Sequence, residues 1–495
     1  MKFSSFLFVL TAAAAASAQS EERTHPVTSR LERAVKRVAT AIDPRTDDRT
    51  NGTIGLEAIY GRAARFDDGS RNPVIVIPGI LGSKLVDGDG GRVVWGAVGW
   101  DAVDPQDPAG ARLIGHPLGP GVPLSRLRDR VVAAAPLERV DVNLLGVPFH
   151  VHAYGMILQT LGTGGYRDES IPTQVDYGDE HFSCFTFFYD WRRDNAETAA
   201  GLARFIESRA AYVRRIRRAR FGVDTPVRFD VVAHSMGGLV ARQYLRYGGG
   251  QAIPGEPVPF AGAGRIERLI LVAPPNAGST LAVDQLVNGY RAAPLFPKYE
   301  AGLLATMPSI YQLLPRPRHE AVIDADGRSL DLYNVGTWDR LGWGLLDPQQ
   351  TGTLAKLLPG HPPADRRVLA REHLAKCLGA AKRFHDGLDV PASPPDGTSI
   401  HLIVGDNIPT VGKLAVDRRT GRPGPVRMDP GDNTVTRPSA LLDERADPSV
   451  PWRPTYVSPV RFDGVTFLAG DHLGITSSPA FSNNVLHLLL ERPRD

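Results

Sequence analysis

Cysteine is scarce in this sequence, two in 495 residues, which excludes a disulfide-built scaffold and a cysteine-rich metal domain. Cys184 lies in the aromatic stretch Phe182-Ser183-Cys184-Phe185-Thr186-Phe187-Phe188-Tyr189, a setting for a buried thiol. A Cys184–Cys377 bridge stays open if the compartment is oxidising. An excess of one charge sign is also lacking: 57 basic against 54 acidic residues leaves +3, too balanced to imply a nucleic-acid partner. Beyond the N-terminus no run approaches the roughly 20 apolar residues of a membrane span, so the mature chain is expected to be soluble. Metal-ligand spacing is missing as well. His150-x-His152 has no third ligand near it, and neither a metal nor an organic cofactor is called for.

What is present describes a globular protein. Apolar residues make up 42% and charged residues 22%, enough for a sizeable core. The 51 glycines and 41 prolines are spread along the chain, which indicates many turns rather than a disordered block. Lys2, the apolar run Phe6–Ala16 and Ala16-Ser17-Ala18 have the layout of a signal peptide over 1–18, with Gln19 as the new N-terminus. That expectation makes the protein secreted or periplasmic; an uncleaved anchor is the alternative, against which the run is short. The sequon Asn51-Gly52-Thr53 matters only in a eukaryotic source.

Strands and helices alternate after a charged, irregular extension over 19–70, in which one amphipathic helix is expected near Arg30–Ile42. Asn72–Pro78 reads as a buried strand, and the Gly-, Pro- and Asp-rich stretch of about 86–150 as an insertion with little periodicity. A helix over Val151–Thr163, a strand over Phe185–Tyr189 and a long helix over Glu197–Arg220 follow. The arginines of that helix, Arg204 to Arg220, read as a solvated face, although anionic lipid could meet them. Further strands are expected at Val227–Val232, Arg268–Pro274, Ser399–Gly405 and Val465–Leu468, with a second insertion over about 276–397. Strands alternating with helices imply a mostly parallel sheet covered on both faces.

The chemistry is concentrated in Asp230-Val231-Val232-Ala233-His234-Ser235-Met236-Gly237-Gly238. A β-branched strand runs into the helical stretch Met236–Tyr247 with a serine at the turn. So sharp a turn needs small residues two before and two after the serine, and Ala233 and Gly237 stand there; a serine that merely caps a helix is the plainer alternative. A serine hydroxyl needs a histidine base, and the histidine needs a carboxylate to fix its tautomer. In strand–helix enzymes of this kind the acid and then the histidine follow the serine. Of the seven histidines after Ser235, His472 stands in a loop directly after the last strand. His401 and His487 fall within a strand and a helix, and the rest within the second insertion. Asp432 and Asp406 both lie at turns or strand ends that suit the acid. The oxyanion of the tetrahedral intermediate needs two amide donors: Met236 is one, and Leu81 in Gly79-Ile80-Leu81-Gly82 the other, with Ile80 as the alternative.

These motifs together resemble the lecithin:cholesterol acyltransferase-like branch of the α/β-hydrolases. Pro73–Leu85 is similar to its oxyanion-loop motif, and Tyr189-Asp190-Trp191-Arg192 to its Tyr-Asp-Trp-Arg signature. Ala233–Gly238 is similar to its nucleophile segment, and Gly431-Asp432-Asn433-Thr434-Val435 to the segment holding its acid. His472 matches its histidine. The resemblance implies an α/β-hydrolase fold with cap and lid insertions, and Ser235, Asp432 and His472 as the triad, favouring Asp432 over Asp406. It further implies Leu81 and Met236 as oxyanion donors, with Gly79, Trp191 and Arg192 in substrate binding or support. The implied activity is acyl transfer from lipid esters to an alcohol or to water, without a cofactor. Two departures bear on substrate: there is no cysteine pair to close a lid, and the first insertion has its own sequence, with Trp95 and Trp100 as its large aromatics. A carboxylesterase for small esters, and a noncatalytic binding module of the same fold, are the other readings. The acyl acceptor and the oligomeric state are not encoded in any motif.

Overall fold

The computed structural model describes residues 55–96, 103–137, 139–144, 147–152, 154–168, 181–291 and 297–492, with only the backbone described over 139–144 and 147–152. The expected signal peptide, the expected helix over Arg30–Ile42, the sequon at Asn51, Trp100 and the side chains of His150 and His152 lie outside the described residues.

Along the chain the strands are β1 (Val74–Ile77), β2 (Ser83–Asp87), β3 (Val93–Trp95), β4 (Val131–Pro136), β5 (Arg139–Leu144), β6 (Val147–His152), β7 (Cys184–Thr186), β8 (Phe229–His234), β9 (Ile266–Val272), β10 (Val322–Ile323), β11 (Ser399–Gly405), β12 (Ile408–Val416), β13 (Pro423–Gly431) and β14 (Gly464–Leu468). Six of them form one sheet in the order β14-β11-β9-β8-β1-β7, and every neighbouring pair in it is parallel. β1 and β8 are buried along their whole length, as the unbroken apolar run of β1 requires in a sheet covered on both sides.

Alternate residues serve opposite faces. Ile75, Ile77, Val231, Ala233 and Leu271 join a core with the helices Asn195–Phe221, Met236–Tyr247 and Pro363–Asp389. Val74, Val76, Val232, Ile270 and Val272 pack instead with Ile157 and Leu161 of the helix Gly155–Thr163 and with Phe481 and Val485 of Pro479–Leu486. Register then aligns the carboxyl ends: Ile77 pairs with Ala233, His234 with Val272, Val272 with Ile403, and Gly405 with Leu468. The loops after these strands therefore emerge on one edge of the sheet, where ligand crevices form in open α/β folds.

Local chemistry explains the element boundaries. The helix Asn195–Phe221 starts where Asp194 accepts the Ala196 amide at 2.7 Å and ends at Gly222, which adopts φ 67°. On it Arg204, Arg214, Arg215, Arg218 and Arg220 are exposed, whereas Arg217 is buried. Cys184 and Cys377 are both buried free thiols, so the bridge left open by the sequence is not formed.

Several segments differ from the sequence expectation. The helix expected from Val151 begins only at Gly155, because Val147–His152 pairs as β6 with β5; its alternation of apolar and polar residues is a strand period. The stretch 86–150 is more ordered than its composition suggests: β2, β3 and β4 make an antiparallel sheet, and the helix Pro108–Ile114 is capped by Asp107. Within the supposed extension, Leu56–Arg65 is helical, and Tyr60 hydrogen-bonds the carbonyl of Asn483 at 3.1 Å. The largest omission is the hairpin of β12 and β13, which joins β10 in a second sheet and separates β11 from Asp432.

Candidate active site

β8 ends at His234 and the next helix begins at Met236, leaving Ser235 alone in the turn with φ 53° and ψ −127°. Few non-glycine residues adopt that backbone, and holding one there stores about 1–3 kcal/mol. Tight packing imposes it. A Cβ on Gly237 would stand 2.5 Å from the carbonyl oxygens of Ile77 and Pro78, and one on Gly79 would stand 2.7 Å from Cβ of Ser235. The Ser235 amide still bonds the Val272 carbonyl at 2.8 Å, so the turn is anchored to the sheet.

Ser235, His472 and Asp432 form one hydrogen-bonded chain. Nε2 of His472 lies 2.8 Å from Oγ of Ser235, and Nδ1 of His472 lies 2.7 Å from Oδ2 of Asp432. Oδ1 of Asp432 accepts the amides of Val435 at 2.7 Å and Thr434 at 3.0 Å. Burial raises the Asp432 pKa, but the hydrogen bond and charge of His472 and the two amides outweigh it, and the carboxyl ends below its ordinary value. It is thereby held as an acceptor facing the imidazole. Asp406, the other acid considered, bonds Arg437 at 3.1 Å instead.

The remaining histidines after Ser235 are occupied elsewhere or exposed. His319 meets Glu444, His373 the Thr306 carbonyl, His385 the Gln312 carbonyl, His401 Arg492 and His487 Glu491. His361 is exposed.

The loop after β1 supplies candidate oxyanion donors. The Gly79 amide is consumed by the Tyr154 hydroxyl at 2.8 Å, and the Gly82 amide by the Gly79 carbonyl at 3.1 Å. Among the described residues nothing accepts from the amides of Ile80 and Leu81, so either is free to act as a donor. Leu81 carries φ 65°, and its carbonyl accepts the Trp95 indole N–H at 2.8 Å. Met236 is fully buried at the first helical position, where an amide has no intrahelical acceptor.

Trp191 and Arg192 are both buried. Trp191 packs edge-on against Trp95, ring centres 5.6 Å apart, and its indole N–H reaches the Ser83 carbonyl at 3.3 Å. Arg192 has no solvent exposure. Its guanidinium pairs with Asp190 at 2.8 Å and Asp129 at 2.9 Å, and donates to the carbonyls of Leu113 and Ile114. Tyr189 donates to the Pro78 carbonyl at 2.8 Å, holding the start of the same loop.

Two residues that no motif marks as functional, His234 and Tyr154, lie hydrogen-bonded beside Ser235 and His472. His234 stands inside the nucleophile motif but before the serine, so a search limited to later histidines passes over it. Tyr154 sits at the start of a helix with no motif to mark it. In the fold, Oη of Tyr154 lies 3.1 Å from Nδ1 of His234, and Nε2 of His234 lies 2.8 Å from the His472 carbonyl.

The strand order, with the serine turn after β8 and the acid and histidine loops on the same edge, is that of the α/β-hydrolase fold, and the chain has this fold. No family profile matches the chain, and no curated protein matches it. Among solved structures, it is similar to one described as the Tle4–Tli4 complex, with 16% identity, a TM-score of 0.51, and coverage of 85% of this chain and 98% of that one. Phospholipase PlaB from Legionella pneumophila, at 13% identity, a TM-score of 0.28, and coverage of 64% and 54%, superposes weakly. So does the mature form of Bacillus licheniformis lipase BlEst2, at 12% identity, a TM-score of 0.27, and coverage of 86% and 95%. These two add nothing to the assignment.

Proposed function

We propose that the protein is a serine acyl hydrolase or acyltransferase acting on lipid esters, phospholipid or acylglycerol, through an acyl-Ser235 intermediate. The observation that carries this reading is the continuous chain from Ser235 through His472 to Asp432, set at a strained strand–helix turn beside unpaired loop amides. Oγ of Ser235 attacks the ester carbonyl as Nε2 of His472 takes its proton. The oxyanion is held by the amides of Met236 and of Leu81 or its neighbour Ile80. Collapse expels the alcohol, which leaves with the proton from His472, and water or a second alcohol then takes the acyl group by the reverse sequence. Asp432 keeps Nδ1 of His472 protonated and the ring aligned throughout.

Membership in the lecithin:cholesterol acyltransferase-like branch rests on the five motifs spread from Pro73 to His472. In this reading the segments of about 86–150 and 276–397 are cap and lid, and they govern whether water reaches the acyl-serine. Export through a signal peptide over 1–18 suits an enzyme meeting lipid surfaces; no described helix is long and apolar enough to cross a membrane. The test is mass spectrometry of products from phosphatidylcholine vesicles containing a sterol or long-chain alcohol, with wild type and Ser235→Ala. Esters of the alcohol that vanish in the mutant establish transfer, and free fatty acid alone establishes a lipase or phospholipase. Hydrolysis confined to short soluble esters favours a carboxylesterase. Activity retained in Ser235→Ala defeats the mechanism, and no product from either protein leaves the binding-module reading.

A further inference from the structure

We propose that Tyr154 and His234 are positioning residues that lock the loop after β1 and the loop bearing His472 to one another through a single ordered relay of hydrogen bonds. The proposal rests on the reading of Ser235 as nucleophile and deepens it.

The relay runs from the Gly79 amide to Oη of Tyr154 at 2.8 Å, on to Nδ1 of His234 at 3.1 Å, and from Nε2 of His234 to the His472 carbonyl at 2.8 Å. Both ends are fixed in polarity, since a backbone N–H only donates and a backbone carbonyl only accepts. The middle then has one solution. Nε2 of His234 must carry the proton, Nδ1 must accept, and the Tyr154 hydroxyl must donate to it while receiving from Gly79. Tyr154 and His234 are both buried. Burial, and then the charge of His472, press the His234 pKa down to about 3, so the neutral form that the relay needs is kept. His472, Tyr154 and Asp432 are the titratable groups facing His234. A second proton on Nδ1 would oppose the tyrosine hydroxyl and place a cation against His472, whose ring centre is 4.9 Å away.

Each end of the relay touches catalytic geometry. At one end, Tyr154 takes the Gly79 amide out of use, which turns the loop so that the amides of Ile80 and Leu81 stay unpaired. At the other, the held carbonyl belongs to His472 itself, whose Nε2 must stay 2.8 Å from Oγ of Ser235. One relay thus sets the base and the oxyanion donors in a common frame. A plainer role, filling buried hydrogen-bonding needs, would support folding without affecting turnover by correctly folded molecules.

The test uses the full chain and a p-nitrophenyl acyl ester, with active sites counted by a fluorophosphonate that esterifies the nucleophile. Tyr154→Phe and His234→Phe are each expected to lower kcat per counted site roughly 10- to 100-fold, the scale of a small misalignment, with KM unchanged. His234→Gln keeps a donor directed at the His472 carbonyl and is expected to recover part of the loss. The double variant Tyr154→Phe/His234→Phe is expected to be no worse than the poorer single, because both break one relay. If His234→Phe folds poorly, Tyr154→Phe and His234→Gln make the same comparison. Normal kcat per counted site in Tyr154→Phe, or additive losses in the double variant, overturns the relay while leaving a Ser235-dependent activity standing. Equal hydrolysis by wild type and Ser235→Ala removes the nucleophile and the relay together, so the two failures are distinguishable.

Discussion

Ser235 is held at φ 53° and is 6% exposed, and the cost of that backbone can be separated from the chemistry of its hydroxyl. Ser235→Ala and Ser235→Gly both lose the nucleophile, but only glycine adopts the turn without strain. Ser235→Gly is therefore expected to be the more stable of the two by about 1 kcal/mol, the low end of the strain range because glycine also loosens the unfolded chain. Equal midpoints for the two variants in denaturant unfolding would show that no strain is stored there. The neighbouring glycine has the opposite constraint. Gly237→Ala would drive a methyl to 2.5 Å from two backbone oxygens, and neither can withdraw without moving the end of β1. Loss of fluorophosphonate labelling is expected, because the same shift displaces the loop amides. A Gly237→Ala variant labelled at the wild-type rate would contradict the close approach. These constraints were legible in the sequence as a pattern of small residues around a serine. The relay through Tyr154 was not, since a lone tyrosine at a helix start carries no local signal of its distant partner.

At the scale of elements, Arg192 shows how one side chain joins segments far apart in sequence. Its guanidinium faces the carboxylates of Asp190 and Asp129 and the last carbonyls of the helix Pro108–Ile114. Arg192→Met is expected to destabilise by about 3 kcal/mol, because it strands two largely buried carboxylates. Arg192→Lys recovers only part, since an ammonium cannot reproduce the planar fork. Full stability of Arg192→Met in guanidinium unfolding would mean that these contacts do not hold the helix. The strands of the parallel sheet could be read ahead of the structure because each is a short apolar run between turn residues. The hairpin of β12 and β13 could not. β13 has the burial of an edge, with Val426 and Met428 exposed, and its prolines and glycines resemble a loop. Yet this hairpin delivers Asp432: a Cβ on Gly405 would stand 2.6 Å from Cβ of Asp432, so the acid returns directly over the end of β11. The resemblance favoured Asp432 over Asp406, and the hairpin explains how a residue so far along the chain comes to lie 2.7 Å from Nδ1 of His472.

For the whole molecule, the buried histidines govern the first response to acid. Burial lowers His116 to about 3 and His373 to about 4, His234 to about 3 and His401 to about 4, and takes His385 well below its ordinary value. In the unfolded chain such groups titrate near 6.5. Between that pH and about 4 the unfolded state therefore binds more protons than the folded one, so stability rises with pH across this window and falls on acidification. Lowered carboxylates act in the same direction at lower pH. Glu444, brought to about 2 against burial by Arg318 and His319, loses its contribution only as pH falls from about 4.5 towards that value. The first acid loss thus belongs to the histidines. His116 and His373 meet at one seam: the His116 amide donates to Oγ1 of Thr306, and Nε2 of His373 donates to the Thr306 carbonyl, both at 2.8 Å. Protonating either ring leaves these two hydrogen bonds in place but buries a charge in the seam, where the two ring centres are 6.0 Å apart, and so destabilises the packing of the helix Pro363–Asp389 against the segment around Thr306. The guanidinium midpoint is expected to be lower at pH 5 than at pH 7.5, and hydrogen exchange in that helix should accelerate first. His373→Gln should flatten the pH dependence by about one proton. Identical midpoints at the two pH values would show that the histidines are not held neutral.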